Sequence, residues 1–434
     1  MQALTSVPWW VLVLVAIGLV AVAAVVAALF LPDWHRHPLE AKELPAAGSP
    51  EFLAGVATLL NLPVLRGRPE YLANGDRFYP ALLEAIRGAQ DSINFQIYIF
   101  EPDRIGEEFI DAFAERAGAG VEVRVLVDAF GSSRIDRAIR QRLRAAGCRV
   151  ERFRPLSLFT LARVFKRTHR RAIVIDGRVA FTGGAAVADK WDGDARNPAE
   201  WRDSLTRITG PLAHGVQTAF TDNWRYACGE LLTGPRWFPG WPVGDPRDAD
   251  GEPVGVAVAS SPADSAHPVR ILLWLSIAAA RKRVWLANPY FIPDGDIRRQ
   301  LCERAKAGCD VRVMVPGPET DAKPVRLAGR YHYAELLAAG VRIHEFMPTM
   351  MHDKIMVVDG VWSVVGSANL DERSMEINEE NLVGIADPEF AAALEAALSG
   401  DFERCEEIAL EQWNARSRFD RVLERLSLAM VEQY

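Results

Sequence analysis

Met351-His352-Asp353-Lys354-Ile355-Met356-Val357-Val358-Asp359-Gly360, followed by Gly366-Ser367-Ala368-Asn369, is the stretch that decides the fold. It has the form H-x-K-x4-D-x6-G-S-x-N. On an extended strand residues two apart share a face, so His352 and Lys354 are expected to point the same way. Asp359-Gly360 reads as a two-residue hairpin turn and Val361 to Val365 as the returning strand. Gly366-Ser367 ends that strand, where a small backbone lets a ligand approach. An imidazole, an ammonium, a hydroxyl and an amide are thereby brought to one spot. That set suits a tetrahedral phosphate, with a nucleophile or acid from histidine and charge and donors from the rest.

A histidine in a strand is more often structural than chemical, so the motif draws its meaning from a second copy. Thr168-His169-Arg170-Arg171-Ala172-Ile173-Val174-Ile175-Asp176-Gly177 repeats the pattern, and Gly183-Gly184 again follows the aspartate. The two histidines lie 183 positions apart. The repeat extends upstream in the same order. Ile99-Phe100-Glu101-Pro102-Asp103 matches Phe291-Ile292-Pro293-Asp294, Gly120 to Val125 matches Gly308 to Val313, and Ala145 to Val150 matches Ala338 to Ile343. Duplication accounts for this and chance does not.

With both copies in view, the chain resembles the phospholipase D superfamily with paired HKD motifs, and within it the bacterial cardiolipin synthases. The narrower resemblance rests on Tyr98 to Glu101, Asp128 to Ser132, Trp201-Arg202-Asp203, Asn288 to Pro293 and Gly366 to Asp371. It covers roughly Leu72 to Leu382. It implies an α/β fold of two similar sandwich halves packed as a pseudo-dimer. It also implies transfer of a phosphatidyl group between two phosphatidylglycerol molecules, through a phosphohistidine, giving cardiolipin and glycerol. The rival readings are a phospholipase D that hydrolyses phospholipids and an inactive lipid-binding homologue.

Composition narrows the field further. A net charge of −7 argues against a general nucleic-acid coat, and 49% hydrophobic with 25% charged residues describes a folded protein plus one apolar segment. Lys166, Arg167, Arg170 and Arg171 crowd the first motif, and Arg281 to Arg283 precede a later strand. These read either as solvated strand ends or as an attraction for anionic lipid. The five cysteines, 148, 228, 302, 309 and 405, have no metal-ligand spacing and are expected to be reduced and buried. No metal, cofactor, nucleic acid or obligate protein partner is expected.

Along the chain, residues 7–31 carry no charge and suffice for one transmembrane helix, with Trp9, Trp10 and Trp34 near its ends. Arg36 and Lys42 follow it, which puts the catalytic part on the cytoplasmic side of a bacterial cell membrane. Residues 33–50 read as a juxtamembrane linker, 51–231 as the first half, 232–253 as a connector, and 254–434 as the second half with C-terminal helices. Asn74-Gly75 is a hairpin signal. Tyr79 to Gln90, Glu107 to Ala117 and Ile135 to Ala146 read as helices between strands at Ile93 to Phe100, Val121 to Val127 and around Val150. Trp237, Phe238 and Trp241 are expected to pack the connector onto the halves, the alternative being that they dip into the lipid interface beside the active site.

The expected catalytic set is His169, Arg171, Asp176, His352, Lys354 and Asp359. The resemblance implies an acidic residue downstream of each motif to hold the histidine tautomer, Asp203 in the first half and Glu380 in the second. Gly184, Ser367 and Asn369 are the expected phosphate contacts. His169 is taken as nucleophile and His352 as acid, and the two aspartates of the turns as supports for the motif strands. The first copy departs from the family pattern at Arg171, where lysine is usual, and at Ala186, where asparagine is common.

Overall fold

The computed structural model describes residues 8–30, 38–155, 166–240, 252–262 and 267–431. The chain divides into two compact units, one ending at Lys42 and one running from Glu43 to Glu432. The first unit holds helix α1, Trp9–Phe30. Among the described residues no helix is long and apolar enough to cross a membrane, and the side chains of α1 are described only as far as Ala21. The expected span of 7–31 therefore lies in part outside the described residues, as do Trp34 and Trp241.

The second unit opens with α2, Pro50–Leu60, and the short strand β1, Leu65–Arg66. Then come β2 Arg68–Ala73, α3 Gly75–Gly88, β3 Ser92–Ile97, α4 Arg104–Gly118, β4 Glu122–Asp128, α5 Arg137–Ala145 and β5 Arg149–Phe153. The first motif supplies β6 Ala172–Ile175 and β7 Val179–Gly183, followed by β8 Ser204–Thr209 and α6 Ala213–Cys228. The repeat continues with β9 Val254–Ala259, α7 Pro268–Ala278, β10 Arg283–Ala287, α8 Gly295–Lys306, β11 Asp310–Pro316, α9 Lys323–Arg330, α10 Tyr333–Ala338 and β12 Arg342–Phe346. The second motif supplies β13 Ile355–Val358 and β14 Trp362–Gly366, and β15 Asn381–Ala386, α11 Pro388–Phe402 and β16 Cys405–Glu407 close the sheet.

Two mixed sheets result, ordered β2-β8-β7-β6-β3-β4-β5 and β1-β9-β15-β14-β13-β10-β11-β12-β16. Strip β1 and β16 from the second and the two orders coincide strand for strand, which is the duplication seen as topology. In each, three parallel strands (β3 to β5, β10 to β12) join an antiparallel set carrying the motif. β4 buries both faces: Val123, Val125 and Val127 enter one apolar cluster and Leu126 the other. Strands covered on two sides read as continuous apolar runs for this reason. The second cluster draws Val174, Ala180 and Ile208 of one sheet together with Met314, Val357 and Val365 of the other, so the halves share a core.

Several expectations change. Asn74-Gly75 starts a helix and is not a hairpin: Asn74 takes φ +58° at the head of α3. A Cβ at Gly75 would stand 2.2 Å from the Trp191 carbonyl oxygen, so the glycine answers a close approach. Residues 50–66 belong with the second sheet, since Leu65 pairs with Gly255 and Phe52 sits edge-on to Trp362. The motif turns hold three residues, because Ile175 pairs with Val179 and Val358 with Trp362. Asp176, Gly177, Asp359 and Gly360 all take positive φ. The cysteines are free, but Cys228 is exposed. Of the basic cluster, Arg167, Arg170 and Arg171 are buried and are not solvated strand ends. Trp237 is buried, with the Arg124 guanidinium 4.4 Å over its ring.

Candidate active site

Each motif enters as an extended lead-in and becomes a strand only afterwards: His169 and Arg171 precede β6, and His352 and Lys354 precede β13. The lead-ins are held by the opposite half. Thr168 bridges to Glu379 and Met351 to Arg202. The His169 N–H donates to the Glu379 carbonyl at 2.8 Å and the His352 N–H to the Arg202 carbonyl at 2.7 Å.

The next residue along each bridging segment is the carboxylate, and the dyads are therefore crossed. Asp203 lies 2.7 Å from His352 Nδ1, while both oxygens of Glu380 lie 3.0 Å from His169 Nδ1. Each acid serves the histidine of the other half. A carboxylate at Nδ1 keeps the proton there and leaves Nε2 as the reactive lone pair. A Cβ at Gly184 would stand 2.8 Å from the His352 carbonyl oxygen, so the two motifs lie side by side.

The carboxylates are held by different means. Trp191 Nε1 donates to Asp203 Oδ2 at 2.8 Å, and the Ser204 N–H to its other oxygen at 2.8 Å. Glu380 accepts from the Ser374 hydroxyl at 2.8 Å and from the Ser367 hydroxyl. Ser367, expected on phosphate, thus donates its hydroxyl hydrogen bond to Glu380, because the longer glutamate reaches it. A Cβ at Gly184 would stand 2.3 Å from Asp203 Oδ1, so serine has no room at the matching place. Asn369 is buried, and its Oδ1 has no partner among the described residues.

Burial governs the protonation states. Burial, with the Arg171 guanidinium next, brings His169 down to about 4. Burial and then the Lys354 ammonium hold His352 well below the usual imidazole range. Burial pushes Asp203 up to about 6 against the pull of Lys354, and brings Lys354 down to about 8 against Asp203. Burial also acts to raise Glu380, but His169 and the Ser367 and Ser374 hydroxyls overcome it and leave its carboxyl below the ordinary value. At neutral pH the site holds two neutral imidazoles, two carboxylates and two cations.

The cations mirror each other. Arg171 Nη1 donates to the His169 carbonyl at 2.7 Å and Lys354 Nζ to the His352 carbonyl at 2.6 Å. Arg171 Nη2 is buried and has no partner among the described residues. A desolvated guanidinium donor with nothing to bond is costly unless an anion completes it.

Asp176 and Asp359, counted in the catalytic set, stand apart from this cluster at the far ends of their strands. Asp176 accepts from the N–H groups of Gln90, Asp91 and Ser92, and Asp359 from those of Arg281, Lys282 and Arg283. They pin β3 and β10 beside the motif hairpins and touch no reacting group.

Of the middle residue of each motif, sequence reading named Arg170 only within the basic cluster and gave Asp353 no role. Arg170 donates to the Ala219 and Ser260 carbonyls at 2.7 and 2.8 Å. Asp353 accepts from Arg202 at 3.0 Å and Ser204 at 2.6 Å, and Arg202 pairs with Asp401 at 2.7 Å. These contacts tie the halves together, and breaking a buried pair of this kind costs about 3–5 kcal/mol. It also missed the aromatic walls. The Tyr98 ring lies 5.2 Å from His169, and those of Trp191 and Trp201 each lie 5.6 Å from His352. The 183-residue offset was the available signal, since it sets Trp191 at the place of Ser374.

A duplicated α/β sandwich whose halves exchange carboxylates around two histidines is a paired-histidine phospholipase D-like scaffold. Residues 82–190 and 273–402 match the family described as cardiolipin synthase, PLD-like domain. Cardiolipin synthase A of Pseudomonas fluorescens is 33% identical over 408 residues, 94% of this chain and 82% of its own. Cardiolipin synthase 1 of Bacillus cereus is 33% identical over 367 residues, 83% of this chain and 71% of its own. The crystal structure of the phosphatidylserine synthase of Haemophilus influenzae shares the fold, with a TM-score of 0.64 at 16% identity over 88% of this chain and 98% of that one. The chain belongs to the phospholipase D-like cardiolipin synthase family.

Proposed function

We propose that this protein joins two phosphatidylglycerol molecules into cardiolipin with release of glycerol. The observation that carries the reading is the pair of crossed dyads around the unpartnered Nη2 of Arg171, a buried site built for one phosphodiester anion. Nε2 of His169 attacks phosphorus while His352, protonated from solvent as the phosphodiester anion binds, gives that proton to the departing glycerol oxygen, whose P–O bond breaks. A hydroxyl of the second phosphatidylglycerol then attacks, giving its proton back to His352 as the P–N bond breaks. His169 is restored neutral and His352 protonated, and His352 returns its proton to solvent when the product leaves. His169 suits the first role because it is uncharged at neutral pH and is held by an ionised Glu380. His352 becomes an effective acid once a phosphodiester anion stands beside it and favours its charged form. Arg171 and Lys354 carry the phosphate oxygens as charge shifts in the transition state.

Residues 7–31 serve in this reading as a single membrane anchor, residues 33–50 as a linker, and the catalytic halves face the cytoplasm. Asn369 lends its amide to phosphate, and Gly184 lets the backbone approach. Residues 67–231 and 254–407 act as the two catalytic halves.

Purified protein incubated in vesicles with labelled phosphatidylglycerol should yield labelled cardiolipin and one glycerol per turnover. Phosphatidic acid as the sole lipid product would make it a hydrolase, and no product would make it a binding protein.

A further inference from the structure

The offset of 183 persists past the motif glycines, so Lys190 falls at the place of Arg373. Lys190 sits on the 3-10 turn Asp189–Trp191. Its ammonium stands 4.6 Å from the centre of the Trp201 ring and 4.8 Å from that of Trp191. Those are the two indoles that wall His352. Glu101 lies 3.6 Å from the ammonium and gives its other oxygen to Arg134 at 2.5 Å. The Lys190 side chain is 35% exposed. A cation that reaches solvent is thus held on an aromatic shelf one ring beyond His352. Arg373, its counterpart, opens the turn Arg373–Ile377 that carries Ser374.

We propose that Lys190, seated on Trp201, binds the phosphodiester of the acceptor phospholipid. This rests on the reading of the site as a phosphatidyltransferase with His169 as nucleophile. When phosphorus is bonded to His169 Nε2, the incoming hydroxyl must arrive from the side of His352, which takes its proton. The O–P bond forms as the P–N bond breaks. If the acceptor is itself a phosphatidylglycerol, its own phosphate lies one three-carbon glycerol away from the attacking oxygen. Arg171 and Lys354 are then occupied by the first phosphate. A second anion brought beside a desolvated site needs a cation of its own. Lys190 is placed to supply it, exchanging a 3.6 Å contact with Glu101 for phosphate while Glu101 keeps Arg134. Water carries no second phosphate and gains nothing from this contact. Lys190 therefore discriminates lipid acceptor from water by binding energy that only the correct acceptor can use.

The test is the ratio of cardiolipin to phosphatidic acid made by the full-length protein in phosphatidylglycerol vesicles. Lys190→Ala and Lys190→Gln should lower that ratio by roughly tenfold or more, the effect of one lost hydrogen bond to a charged group. Both should raise the phosphatidylglycerol needed for half-maximal transfer. Lys190→Arg should recover most of the ratio, and Lys306→Ala, a charge removed from α8, should keep it. A folded Lys190→Ala protein with the wild-type ratio overturns the inference. Wild-type protein that makes no cardiolipin overturns the underlying reading, and the inference with it.

Discussion

The first half supplies Arg171, Gly184, Ala186 and Asp203, where the second supplies Lys354, Ser367, Asn369 and Glu380. Yet the two dyads are built alike. Aspartate is one methylene shorter than glutamate, and its partner is the larger one: the Trp191 indole reaches Asp203, whereas the small Ser374 suffices for Glu380. Gly184 leaves room where Asp203 presses close, and Ser367 bonds Glu380 where the longer chain extends. Around the reacting centre the halves differ in every one of these side chains except the histidine and still present the same imidazole. What the duplication keeps is the geometry of a carboxylate lent across the interface; which residues hold it is free to vary in compensating pairs.

The sharpest way to break this comparison is to remove the one residue the halves share there. His169→Ala and His352→Ala should each abolish turnover, by about 10⁴ or more, and the double variant should lose no more, because both act in one cycle. Two independent half-sites would leave about half the activity in each single variant. Next in size are the exchanged carboxylates. Asp203→Asn and Glu380→Gln should each lower kcat by about 10²–10⁴ with the fold intact, since an amide no longer fixes the reactive tautomer. Phosphohistidine should still form, slowly, in both.

The cations come third. Arg171→Ala should cost on the order of 10² in rate, as for one lost transition-state donor, and Arg171→Lys should keep much of the activity. A silent Arg171→Ala would say that the first half does not grip phosphate. Titration gives a milder effect. As pH falls through about 6, Asp203 takes a proton and its hold on His352 weakens; as pH rises through about 8, Lys354 loses its charge. The kcat/KM profile, which reports the free enzyme, should therefore be bell-shaped with limbs near those values. Lys354→Arg should remove the alkaline limb. Ala186→Asn, the smallest change, should be neutral or mildly activating by adding an amide where Asn369 has one.

Much of this was legible in the chain. Apolar runs bounded by glycine placed the strands, and the repeat of the same segments in the same order announced two similar halves before any strand was paired. The crossing was not legible. A motif and its downstream acid are near in sequence, and only the bridges of Thr168 to Glu379 and Met351 to Arg202 show that each lead-in is a partner of the other half. Arg170 and Asp353 were passed over because the pattern treats their position as variable, while their work is interfacial. Asn74-Gly75 misled because an Asn-Gly pair serves a close backbone approach as well as a turn. Strand β1 could not have been assigned from sequence, since two residues carry no period.

One measurement bears on the shared site more directly than any other. Full-length protein mixed with phosphatidylglycerol labelled in its phosphatidyl group, quenched within a turnover and digested, should carry one label per chain, on His169. The label should build up in His352→Ala, as far as that variant can form it, because the second step lacks its base. Label on His352, or on both histidines of one chain, would contradict a single site with His169 as its nucleophile.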